Sequence, residues 1–151
     1  MNRHGELFKT IQDLVMCHSP SGMEAEVDAL IIDRLGGSGH VARCDEAGNI
    51  VVTIPGVNAE ILAITAHKDE IGAVVTEIRD DGRLSVGKLG GSYPWVYGEG
   101  VVDILGEHAC LSGVLSFGSR HVSHASPQYV HKETAPLRWK DTWIETKQSK
   151  E

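Results

Sequence analysis

The sequence predicts an α/β fold in which two helices and part of a mixed sheet precede a small all-β unit. Apolar residues recur at helical spacing between residues 5 and 35, and short apolar runs separated by turns follow between 41 and 65. Helical periodicity then disappears after about residue 70. The 151 residues include 17 glycines and only 2 phenylalanines, a composition typical of short strands joined by many turns.

Two amphipathic helices open the chain. Apolar side chains on one face predict the first helix over residues 5–18, which ends at HSPSG. The sequence SGME then predicts a capping box, in which Ser21 accepts from the backbone N–H of Glu24 and Glu24 reaches back. We therefore expect the second helix over residues 22–35, ending at two consecutive glycines.

The strands fall into two groups. In the first group, residues 41–45 and 49–54 predict a hairpin, and the continuous apolar run ILAIT at 61–65 predicts a strand covered on both faces. In the second group, AVVTEI pairs with RLSV, VVDIL pairs with HACLSGVLSF, and residues 142–146 form a last strand. The segment KLGGSYPWVYGEG between the two hairpins has the composition of a loop.

Charge and composition exclude several classes of function. The formal net charge is −7 and the 14 basic residues are scattered, so nucleic acid is not an expected partner, whereas a metal ion is compatible. No apolar segment is long enough for a signal peptide or a membrane span. Three cysteines lack CxxC spacing and are expected to be buried, reduced thiols. We expect a soluble, cytoplasmic protein.

The motif AHKDEIG at residues 66–72 carries the strongest chemical signal. His67 follows the predicted buried strand, at the kind of strand end where α/β proteins bind ligands. Asp69 lies two residues later on the same side of an extended chain and is placed to orient the imidazole as a metal ligand. On spacing alone, a histidine hydrogen-bonded for structural reasons explains the same pattern, and it is the commoner of the two.

Seven segments share their order and spacing with one enzyme family. They are SGME (21–24), DEAGNIV (45–51), AHKDEIG (66–72), DDGRLSV (80–86), KLGG (88–91), GEGVVDI (98–104) and GVLSFGSRH (113–121). Through nearly its whole length, the chain resembles the N-terminal portion of the tetrahedral (TET), or glutamyl, aminopeptidases, which form metallopeptidase family forty-two. AHKDEIG is the most specific segment, although the family usually has Met where this chain has Lys68.

The resemblance implies a domain organisation and a metal centre. Residues 1–69 correspond to part of a layered α/β metallopeptidase domain, and residues 70–151 to an inserted, barrel-like β domain used for dimerisation. His67 matches a ligand of a two-metal site that holds zinc or cobalt, and Asp69 matches the carboxylate that orients it. The family's other ligands and its general base follow the inserted domain, and this sequence offers no convincing substitute for them. The chain is therefore expected to supply at most one ligand set and to be inactive alone.

The implied substrate is a short peptide with a free N-terminal residue, and the implied partner is another copy of the chain. A different class of function is also open: a non-catalytic oligomerisation or peptide-binding module. The aromatic residues Tyr93, Trp95 and Tyr97 serve such a module if they form an exposed patch, and an interface and a core position fit them equally.

Several other residues have simpler explanations than a role in catalysis or metal binding. Glu70 is a candidate acid or base, but its side chain is expected to point away from that of Asp69. Asp80 and Asp81 belong to a predicted turn. We expect Trp139 and Trp143 to pack on the β unit. Three histidines near HVSH are expected to be solvated or at an interface rather than to bind metal; they are His121, His124 and His131.

Overall fold

The fold is mixed α/β, and the computed structural model describes residues 3–118 and 136–149. The chain divides into two compact units, residues 1–70 and 71–151. No helix in the described part is long and apolar enough to cross a membrane. His121, His124 and His131 lie outside the described residues, so their predicted role stays a prediction.

The first unit contains two helices and two short strands: α1 (Arg3–Val15), α2 (Ala25–Gly37), β1 (Ala42–Cys44) and β2 (Ile50–Val52). Both helices and the antiparallel β1–β2 hairpin confirm the sequence prediction, with shifts of a few residues at the ends. Asp13 of α1 joins the helices because it accepts from Arg34 of α2, and it also pairs with Lys9 at 2.9 Å. Only Val27 is buried in α2, and no residue is buried in α1.

Two predictions about the first unit are wrong. The run ILAIT at 61–65 forms no strand, and Ile61, Leu62 and Ile64 are each about nine-tenths exposed. A strand needs a neighbour for its backbone hydrogen bonds, and no described strand lies beside this run. The described residues of this unit therefore do not form the layered sheet that was expected.

The predicted capping box is also absent. Ser21 does not cap α2, which begins after Glu24 without a side-chain cap. Glu24 instead accepts from the backbone N–H of Gly22 at 2.7 Å. The hydroxyl of Ser21 is used elsewhere, by Asp69.

The second unit is built on five antiparallel strands and two short helices: β3 (Gly72–Ile78), β4 (Leu84–Leu89), α3 (Pro94–Tyr97), β5 (Gly100–Leu105), β6 (Cys110–Ser116), a 3-10 helix (Trp139–Asp141) and β7 (Trp143–Glu145). Both predicted hairpins and the last strand are confirmed. The strand order is β3-β4-β7-β6-β5, so the described strands form an open sheet and do not close into the expected barrel.

The core of the second unit sits on this sheet. It consists of Leu84, Val86, Leu115 and Ile144. Register explains the grouping, since Ile144 of β7 stands opposite Leu84 on one side and Leu115 on the other. Trp139 packs against this core and donates to the carbonyl of Ser92 at 2.9 Å, as expected for a tryptophan of the β unit.

Candidate metal-ligand segment

The residues singled out by sequence lie in an extended segment at the end of the first unit. Glu70 forms a parallel bridge with Pro20, and its backbone N–H donates to the carbonyl of Ser19 at 2.8 Å. Its carboxylate in turn accepts from the N–H of Ser19 at 3.1 Å. These bonds tie the segment to the turn that precedes α2. They also give the Glu70 carboxylate a structural role.

His67 is strongly exposed, with 86% of its side chain accessible. Its Nδ1 lies 2.9 Å from the backbone oxygen of Asp69. A carbonyl oxygen only accepts, so Nδ1 carries a proton, and in the neutral imidazole Nε2 then has the lone pair. The imidazole is therefore held in the tautomer that presents Nε2 as a ligand.

Asp69 reaches the imidazole in a way that sequence did not anticipate. The closer acceptor is its main-chain carbonyl, and its carboxylate Oδ1 lies 3.3 Å from His67 Nδ1. The other carboxylate oxygen, Oδ2, accepts from Ser21 Oγ at 2.5 Å. This hydrogen bond is the largest cause of a lowered Asp69 pKa, and bonding to His67 lowers the pKa further.

Lys68 does not face the same partners as its neighbours. Its Nζ donates to both carboxylate oxygens of Asp28, at 2.5 and 2.7 Å, and to the carbonyl of Gly48 at 2.8 Å. The positive charge of Lys68 is thus neutralised by a carboxylate on α2.

The described residues do not by themselves assemble a metal site. Within 3–118 and 136–149, no group of three or more His, Cys, Asp or Glu side chains is arranged to hold an ion. A zinc site takes about four donors, and His67 Nε2 fits the role of one of them. Asp69 fits the role of the group that orients the ligand. The segment is chemically suited to contribute to a metal centre but not to form one alone.

A second surface is exposed in the β unit. The rings of Tyr93 and Trp95 stack at a centroid distance of 5.6 Å, with an angle of 14° between their planes. Both side chains are more than half exposed, as is that of Val96. Tyr97 instead contacts Trp139 edge to face. We call Tyr93, Trp95 and Val96 the aromatic patch. Of the two positions predicted for the aromatic residues, a core position is wrong for Tyr93 and Trp95, and the interface stays a prediction.

The family assignment follows from a match to the whole second half of the chain and the segment before it. The model of the M42 glutamyl aminopeptidases matches residues 48–151, which include His67 and Asp69. The chain belongs to the M42 glutamyl aminopeptidase family. The resemblance read from the sequence motifs is thereby confirmed.

Individual aminopeptidases and solved structures show the same likeness. Glutamyl aminopeptidase of Lactococcus lactis subsp. cremoris (strain MG1363) is 34% identical over 93 residues, which are 60% of this chain and 26% of that enzyme. A TET1 peptidase of Pyrococcus horikoshii, described as able to assemble into a tetrahedron or a large octahedral shell, is 26% identical with a TM-score of 0.74. This match covers 95% of the present chain and 41% of the archaeal one.

Fold similarity extends further than sequence similarity. A TET aminopeptidase from the marine sediment archaeon Thaumarchaeota archaeon SCGC AB-539-E09 has a TM-score of 0.80 at 21% identity, over 98% of this chain and 40% of that one. The present chain thus spans well under half the length of these M42 and TET relatives.

Proposed function

We propose that this chain supplies part of the metal centre of a metal-dependent aminopeptidase that releases N-terminal residues from short peptides. The observation that carries the proposal is the His67 imidazole, whose Nδ1 is held by Asp69 and whose Nε2 is thereby offered as a ligand. Membership of the M42 family supports the reaction class. When bound, two divalent ions such as zinc or cobalt supply Lewis acidity toward the scissile carbonyl.

The roles of the chain's own residues follow from their contacts. His67 offers one donor, and Asp69 keeps the proton on the opposite ring nitrogen through its carbonyl and its nearby carboxylate. A single donor does not hold two metal ions, so we propose that the chain alone is inactive. We further propose a cytoplasmic enzyme. We propose that it assembles through the β domain predicted at residues 70–151, since the P. horikoshii relative is described as able to assemble into a tetrahedron or a large octahedral shell.

A cobalt titration followed by NMR of the histidine side chains tests the ligand role. His67 signals should broaden at a lower cobalt concentration than those of His108, an equally exposed histidine of the β unit. The His67→Ala variant assigns the signals, and His108→Ala is its matched control. Equal broadening at both histidines would remove His67 from the metal centre.

Retained metal and hydrolysis of a peptide substrate test the inactivity. After desalting, the chain should keep no stoichiometric zinc or cobalt and should not cleave an aminoacyl anilide. Tight binding or cleavage that His67→Ala abolishes and His108→Ala preserves would show a more complete centre than one donor.

A non-catalytic module is the second candidate, and the exposed aromatic patch favours it. Stacked, exposed aromatic rings are enriched in binding surfaces. If the patch serves assembly, Trp95→Ala should lower the oligomeric state measured by light scattering. If it binds peptides, the same variant should lose peptide binding while assembly is unchanged. If Trp95→Ala changes neither the oligomeric state nor peptide binding, the aromatic patch has no role in such a module.

A further inference from the structure

The position of His67 poses a physical problem. Residues 53–69 form no helix or strand in the described chain, and the apolar residues that precede His67 are almost fully exposed. Neither a backbone ladder nor apolar packing therefore fixes this stretch. A metal ligand needs a defined position, because small displacements weaken coordination. Specific polar contacts are left to hold the histidine in place.

Lys68 makes the most complete set of such contacts. An ammonium group has three N–H donors, and each has an acceptor here: Asp28 Oδ1, Asp28 Oδ2 and the carbonyl of Gly48. The two acceptor residues are 40 and 20 positions away in sequence, in α2 and in the β1–β2 turn. One side chain thus joins three parts of the first unit.

The partial burial of this contact increases its contribution to stability. The side chains of Lys68 and Asp28 are 25% and 27% exposed, whereas Lys9 in the pair with Asp13 is 70% exposed. Exposed ion pairs contribute little because water and salt screen them. The Lys68–Asp28 pair is shielded on both sides and adds a hydrogen bond to a main-chain carbonyl.

We propose that Lys68 is a positioning residue for His67. Successive side chains of an extended chain point to opposite sides. An anchor at residue 68 therefore fixes the backbone while leaving the neighbouring imidazole exposed, as observed. A methionine at this position would have no donor to make these bonds. The positioning role rests on the proposed function of His67 as a ligand, whereas the contact itself does not.

NMR of the unmetallated chain tests the positioning role. In the native chain the His67 amide should have an order parameter of about 0.85, and its ring should show one tautomer protonated on Nδ1. In Lys68→Met the order parameter should fall below about 0.6, and the ring nitrogen shifts should move toward a mixture of tautomers. Asp28→Ala should have the same effect, and Lys68→Arg should restore most of the native signature.

Matched controls separate positioning from general stability. Lys9→Met removes an exposed lysine pair in the same unit and should leave the His67 signature unchanged. A His67 order parameter and tautomer that stay native in both Lys68→Met and Asp28→Ala would overturn the proposal. A different result is that cobalt fails to bind at His67 while Lys68→Met still lowers the His67 order parameter and mixes the ring tautomers. That result would exclude the metal role and support the positioning contact.

Discussion

Ser21 and Asp69 lie 48 residues apart in sequence and are joined by a hydrogen bond of 2.5 Å from Ser21 Oγ to Asp69 Oδ2. The bond connects the turn before α2 to the segment that carries His67. It occupies one carboxylate oxygen and leaves the other beside the imidazole. A residue that local sequence assigns to a helix cap therefore belongs to the candidate metal-ligand segment.

The first prediction concerns the pKa of Asp69. Removing the hydroxyl in Ser21→Ala should raise this pKa toward its ordinary value of about 3.9, because the Ser21 hydrogen bond is the largest cause of the lowering. Carbon-13 NMR of the aspartate side chains across an acid titration measures it directly. Ser38→Ala serves as the control, because it removes a hydroxyl that donates a hydrogen bond to the backbone carbonyl of Arg34.

The same shift has a consequence for stability in acid. A lowered folded pKa means that Asp69 stabilises the fold above its unfolded pKa and loses this contribution as pH falls through the folded value. Ser21→Ala should therefore reduce the difference in stability between neutral and acid pH relative to Ser38→Ala. An Asp69 titration curve identical in the native chain and Ser21→Ala would show that the hydrogen bond is not formed in solution.

Sequence patterns were sufficient where structure depends on neighbouring residues. Both hairpins of the β unit are recognisable because alternating or continuous apolar runs flank turn residues. Gly82 illustrates the turn chemistry, since its φ of 79° favours glycine. Gly48 plays the same part between β1 and β2, with a φ of 80°. These elements follow from local rules.

Sequence patterns were insufficient where structure depends on distant partners. The run at 61–65 has the composition of a strand, but composition does not supply the neighbouring strand that would pair with it. Ser21 has a local partner in the capping pattern and a distant one in Asp69, and the distant one is used. Nothing in the sequence links Lys68 to Asp28, because a contact across 40 residues leaves no periodic signal.

The second prediction tests the core of the β unit. Gly113 of β6 is buried, and a Cβ at this position would overlap the side chain of Ile144 and lie 2.8 Å from Ile104 Cδ1. Gly113→Ala should lower the free energy of unfolding by about 1–3 kcal/mol, the usual cost of overpacking. Urea denaturation measures the change. Gly91→Ala adds the same methyl group where no atom lies within 4 Å, and it should change stability much less.

The third prediction concerns the reactivity of the three cysteines. The expectation that all three are buried is wrong for two of them. Cys44 and Cys110 are exposed, and Cys17 is partly buried with its thiol donating to the carbonyl of Asp13 at 3.3 Å. Desolvation raises the pKa of the Cys17 thiol, and the nearby carboxylates of Glu26 and Asp13 raise it further. The thiolate is the reactive form, so a maleimide should modify Cys44 and Cys110 before Cys17 at neutral pH.

Mass spectrometry of the labelled peptides gives the order of reaction. Asp13→Asn, which removes one of the negative charges but keeps the backbone acceptor, should speed the labelling of Cys17. The rates at the two exposed cysteines should not change. Labelling of Cys17 at the same rate as Cys110 in the native chain would contradict its protection.

The last prediction compares the two units by hydrogen exchange. No residue of α1 is buried, and residues 53–69 lack regular structure, whereas the β unit has five paired strands and a core of its own. Amide protection follows local contact and burial, so residues 3–66 should exchange faster than β3 to β7. In Ile144→Ala, which removes a core side chain and should cost about 2–5 kcal/mol, protection of the β unit should fall selectively. Equal and strong protection of both units in the native chain would show that residues 3–66 are held by contacts beyond those described.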